Sequence, residues 1–139
     1  MRQISLFLLA TFFLIAFSIV GNSQRTETSV TFKDLIGIWK SDVPGDDHSL
    51  VVKFNGDGSY RMAWKIDRLD TRPIDKGQVR LDGKQITFFS SDSLTCKNEI
   101  GKYTINRIEN GNFQLTMQED PCVARRSVFA PEWNRIKPQ

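Results

Sequence analysis

The chain has one histidine, His48, and two cysteines, Cys96 and Cys122, among 139 residues. A lone imidazole has no second one to join in a metal site, and Asp46 and Asp47 beside it offer only a weak surface contact. Gly-x-Ser-x-Gly, His-Glu-x-x-His and the phosphate-binding loop are all missing, so none of these templates for catalysis is met. Glu119-Asp120 is a carboxylate pair, but adjacent acids before Pro121 read as a solvated turn with no partner acid or base. The 19 basic and 16 acidic residues are interspersed, with no block of one sign. That distribution leaves no footprint for nucleic acid. Asn55-Gly56-Asp57-Gly58 falls short of a calcium loop, because the terminal Glu such a loop needs would be Ile66. No metal and no cofactor is expected.

Long apolar runs are confined to the start. Arg2 precedes a stretch from Ile4 to Val20 broken only by Ser5, Thr11 and Ser18, and Gly21 and Ser23 put small residues before a cleavage point. This is the pattern of a secretory signal peptide over residues 1–23, cleaved near Ser23. The alternative is an uncleaved anchor, although the run is near the lower limit for a spanning helix. The expectation is an exported protein, periplasmic or extracellular, with one domain over 24–139. In an exported chain two cysteines suggest a Cys96–Cys122 disulfide, contributing about 3 kcal/mol by the chain-entropy estimate. Two free thiols or an interchain bridge are the alternatives.

The rest of the chain is strand-like. Thr31–Ile36 suits one helical turn with Thr31 as N-cap. Strands follow over Gly37–Asp42 and His48–Phe54. Tyr60, Met62, Trp64 and Ile66 then alternate with Arg61, Ala63, Lys65 and Asp67, so one face is buried and the other wet. Arg68–Ile74, with Pro73, reads as a loop. Lys76–Leu81 and Lys84–Ser90 flank Asp82-Gly83, a hairpin signal that sets Val79 opposite Ile86 and Gly77 opposite Phe88. For Gly101–Ile108 and Asn112–Gln118 a two-residue loop breaks the pattern, and a three-residue Glu109-Asn110-Gly111 loop restores it. Ile105 then meets Leu115, Tyr103 meets Met117, and Gly111 takes the left-handed position. Val123–Ala130 reads as the eighth and last strand. Arg61, Lys65, Arg80 and Gln85 on the alternate face rule out a lipid-facing surface. The sum is an all-β chain, an eight-stranded up-and-down antiparallel barrel with a short N-terminal helical turn, not spanning the membrane once the leader is removed.

Four segments carry a family resemblance. They are Gly37-Ile38-Trp39 after the helical turn, Phe54-Asn55-Gly56-Asp57-Gly58-Ser59-Tyr60, Gly101-Lys102-Tyr103-Thr104-Ile105, and an Arg on the last strand, Arg125 or Arg126. In this order they resemble the lipocalin-like domains of bacterial secreted proteins, which are calycin-type barrels. The resemblance implies that Gly37 and Trp39 close the barrel's base, that Arg125 or Arg126 packs over the Trp39 indole, and that the protein binds a small apolar ligand without catalysis. Tyr60, Met62, Trp64, Phe88, Tyr103 and Met117 are the candidate lining. The same residues would serve equally as core of a filled barrel. In that case the protein would act through its surface, as an inhibitor or an envelope interaction module. Ligand identity and oligomeric state are not specified by the sequence.

Overall fold

Eight antiparallel strands pair in chain order and close on themselves. The strands are β1 (Gly37–Asp42), β2 (Ser49–Phe54), β3 (Ser59–Ala63), β4 (Asp75–Asp82), β5 (Gln85–Ser90), β6 (Ile100–Arg107), β7 (Phe113–Glu119) and β8 (Glu132–Arg135). Among the described residues two α-helices accompany them, α1 (Phe32–Leu35) before β1 and α2 (Val123–Val128) between β7 and β8. This computed structural model describes residues 29–43, 45, 47–92, 96–107, 109–129 and 131–137. The expected signal peptide over 1–23 lies outside the described residues.

The expected barrel and helical turn are both present, and β1 has the expected bounds. The Asp34 carboxylate accepts from the Thr31 backbone N–H at 2.8 Å and from the Thr31 hydroxyl at 2.7 Å, which satisfies the start of α1. The β6–β7 hairpin has the expected register, with Ile105 opposite Leu115 and Tyr103 opposite Met117. Gly111 has φ +79°, as the three-residue loop requires, and Asn110 also lies at positive φ.

Three expectations are corrected. In the β4–β5 hairpin Val79 faces Phe88 and Gly77 faces Ser90, so the two loop residues are Gly83 and Lys84. A slide of two residues leaves every side chain on its face, and alternation alone does not detect it. β3 stops at Ala63, and Trp64 and Ile66 are not on its inner face. The chain turns there through a 3₁₀ segment, Ile66–Arg68, so that Leu69 folds under the barrel wall against Val51 and Ala63. Residues 123–128 form α2 instead of the last strand, and β8 is Glu132–Arg135. Ala and Arg favour helix, and the Cys122 sulfur caps the turn by accepting the Arg125 N–H at 3.3 Å. The ladder pairs Trp39↔Arg135, Lys40↔Asn134, Phe113↔Trp133 and Gln114↔Glu132 join β8 to its neighbours, and Ser41 Oγ donates to the Glu132 carbonyl at 2.7 Å.

Inward side chains from all eight strands meet in one core. Trp39, Phe54, Phe88, Tyr103, Phe113 and Trp133 are among its largest members, and all are buried. Phe88 touches Tyr60 and Tyr103 edge-on at ring separations of 5.2 and 5.7 Å, within the favourable range for aromatic pairs. Among the described residues the barrel axis is filled by these rings.

Candidate functional site

The two ends of the barrel are closed by different chemistry. At the base, where β1 begins and β8 ends, the Arg135 guanidinium lies over the Trp39 ring with its Cζ 4.5 Å from the centroid. Its Nη1 donates to the Ile36 carbonyl at 3.0 Å, and the Trp39 indole N–H donates to the Leu35 carbonyl at 2.6 Å. Gly37 has φ +133°, and a Cβ there would come within 3.1 Å of Arg135 Nη1. Gly37 and Trp39 thus stand at this end of the barrel, against Arg135. The Arg over the indole is Arg135, not Arg125 or Arg126, because the strand that pairs with β1 is Glu132–Arg135.

At the mouth, α2 lies across the rim and the Cys96–Cys122 disulfide fastens its start. The two Cα atoms are 5.4 Å apart, within the usual range for a bridge. Cys96, Glu99 and Cys122 bring three possible ligand atoms within 4.8 Å of one another, but both sulfurs are committed to the disulfide.

Beneath α2 lies a buried polar cluster. Arg125 donates to Asp120 in a two-pronged contact, Nε to Oδ2 at 2.6 Å and Nη2 to Oδ1 at 2.7 Å. Its Nη1 donates to Ser90 Oγ at 2.6 Å and reaches Asp75 Oδ2 only at 3.4 Å. The Tyr60 hydroxyl donates to Asp75 Oδ2 at 2.9 Å, and Ser90 Oγ donates to the same oxygen at 3.0 Å. The Tyr103 hydroxyl donates to Asp120 Oδ2. A Cβ on Gly101 would fall 2.7 Å from both Arg125 Nη2 and Asp120 Oδ2, so β6 has room for the cluster only as glycine.

The electrostatics divide the two carboxylates. Burial pushes Asp120 upward, but hydrogen bonds from Arg125 and Tyr103 outweigh it, so Asp120 titrates below the ordinary carboxylate value. Burial raises Asp75, and the bonds from Tyr60 and Ser90 do not offset it. Burial and the neighbouring carboxylates raise both tyrosines, which remain donors. Asp75 Oδ1 is buried and makes no hydrogen bond among the described residues.

Above this cluster a cleft of about 220 Å³ opens between α2 and the β3–β4 edge of the mouth. Met62, Trp64, Ile74, Ala124 and Val128 form its walls, with Asp75 and Arg125 beneath them. Of the six candidate lining residues, Met62 and Trp64 reach this cleft. Tyr60, Phe88 and Tyr103 are closed inside the core. Met117 projects at the rim, 49% exposed. Trp64, 39% exposed, meets His48 edge-on with ring centroids 6.4 Å apart.

Sequence reasoning missed Asp75, Ser90 and Asp120, and gave Arg125 a different partner. Asp75 and Ser90 share the inward parity of Val79 and Phe88, so a polar residue at each inward position was the available signal. Asp120 is buried against Arg125, not solvated as expected, whereas Glu119 is exposed and pairs with Lys102 at 2.9 Å. The closed eight-stranded antiparallel barrel is consistent with a calycin-like fold. No protein-family model, no curated protein and no solved structure matches this chain.

Proposed function

We propose that the protein is an exported, non-catalytic lipocalin-like binding protein that holds a small apolar ligand in the mouth cleft and not in the barrel lumen. The cleft carries this reading. It is concave, walled by Met62, Ile74, Val128 and the Trp64 indole, and floored by a fixed polar cluster. Apolar walls with a few placed polar groups are the usual makeup of a small-molecule site. Its 220 Å³ lies below the range for drug-sized ligands. At about 30 Å³ per water-sized group it admits about seven heavy atoms. The leader pattern and the disulfide support export.

The test is equilibrium binding of straight-chain alcohols of increasing length to wild type and to Val128→Trp, which fills the cleft. Affinity should rise to about six carbons and then level off, and the variant should lose it. No binding, or affinity still rising at twelve carbons, overturns the reading. The first of those results would favour the filled barrel acting through its surface. The exposed cross-strand pair Phe89 and Ile100, beside a shallow recess of about 320 Å³, supplies the feature for that second reading.

A further inference from the structure

The mouth cleft contains a charge imbalance. Two carboxylates, Asp75 and Asp120, share one guanidinium within the buried cluster. Arg125 serves Asp120 with two short bonds and gives Asp75 a single contact at 3.4 Å. Asp75 is therefore the carboxylate without a full counterion. Its Oδ2 is already occupied by Tyr60 and Ser90, and its Oδ1 has no partner among the described residues. An orphaned buried carboxylate oxygen is costly, and more so when charged. Asp75 also lines the cleft, and its side chain is only 5% exposed.

The remaining walls are selective in the same direction. The Trp64 indole lines the cleft, and an indole face attracts cations. Met62, Ile74, Ala124 and Val128 are apolar, and the Ser127 hydroxyl that also lines the cleft already donates to the Ala124 carbonyl at 2.8 Å. Among the described residues Arg125 is the one positive group lining the cleft, and it is no anion site, because Nε, Nη1 and Nη2 all donate to Asp120, Ser90 and Asp75.

We infer that the cleft selects a small primary ammonium ion on an apolar chain, the ammonium pairing with the Asp75 carboxylate and the chain lying against Met62, Ile74, Val128 and the Trp64 indole. The ligand balances the charge of the cluster and supplies the missing donor. This inference rests on the mouth-cleft reading and names the ligand class for it.

The test compares hexylamine, hexanol and hexanoate, matched in length, by calorimetry at neutral pH, with Asp75→Asn as the variant. Wild type should bind hexylamine at least tenfold tighter than hexanol and reject hexanoate. Asp75→Asn should lose the preference for the amine, binding hexylamine no tighter than hexanol. Equal affinity for amine and alcohol, tighter binding of hexanoate, or a preference that survives Asp75→Asn overturns the inference and leaves the cleft reading standing. Binding of none of the three overturns both. A second measurement needs no variant. The ¹³C shift of the Asp75 carboxyl in wild type should move with hexylamine and stay put with hexanol, and an unmoved shift at saturating amine overturns the inference.

Discussion

Arg125 holds two carboxylates at the mouth but neutralises only one, and this sets how each mutant in the cluster behaves. Removing the guanidinium leaves Asp75 and Asp120 buried with no cation between them. Arg125→Met should cost about 3–5 kcal/mol in denaturant unfolding, the penalty for breaking a buried pair from one side. Arg125→Lys should recover only part of it, because an ammonium cannot reproduce the two-pronged contact with Asp120. The carboxylates respond to pH with opposite signs. Asp75 titrates above the ordinary 3.8, so the folded state holds its proton more tightly than the unfolded chain. Its contribution to stability is full below about 3.8 and is lost as pH rises through its folded value. Asn resembles the protonated acid and has no such loss. Asp75→Asn should therefore gain on wild type between about pH 4 and pH 7, read from unfolding midpoints at both ends. Asp120 titrates below 3.8, so its contribution is present above that value and is lost as pH falls below it. The deficit of Asp120→Asn should be largest near neutrality. Trends of the reverse sign would mean the two charges are distributed differently.

The elements depend on a few close approaches. A Cβ on Gly77 would lie 1.9 Å from the Phe89 carbonyl oxygen across the β4–β5 ladder, so the strands would have to part. Gly77→Ala should cost about 3 kcal/mol or more. Gly83→Ala is the control. Its φ is +56° with nothing within 4 Å of the added carbon, and it should cost about 1 kcal/mol for the left-handed backbone alone. The disulfide closes a loop of sequence separation 26, worth about 3–4 kcal/mol on chain-entropy grounds. Cys96→Ala with Cys122→Ala should lower the unfolding midpoint accordingly and loosen α2. What could be read from the chain beforehand follows the same physics. The Asn110-Gly111 register was legible because a one-residue slip turns Ile105 away from Leu115. The Gly83-Lys84 loop was not, because its two-residue slide preserves both faces. β3 ends early for a tertiary reason, the seat that Val51 and Ala63 offer to Leu69. α2 was hidden because six residues carry little periodicity and its capping sulfur is held from a distant segment.

For the whole molecule, the barrel lumen and the mouth cleft are separate spaces. Trp39, Trp133, Phe54, Phe88 and the two tyrosines fill the lumen. The space that remains is outside it, where α2 leans over β3 and β4. The aromatic residues that made a lumenal pocket plausible are the ones that occupy it. The polar groups beneath the mouth cleft come from four separate segments: Asp75, Ser90, Asp120 and Arg125. Their meeting depends on closure of the barrel and on the disulfide, and no local stretch of sequence encodes it. The most direct test of this arrangement is a methyl-resolved NMR titration of the wild-type protein with hexylamine. The shifts should saturate and be confined to Met62, Ile74, Ala124 and Val128, while Leu50, Ile86, Ile105 and Leu115 in the core stay fixed. Movement of those core methyls, or the absence of any saturable shift, would contradict the placement of the site at the mouth.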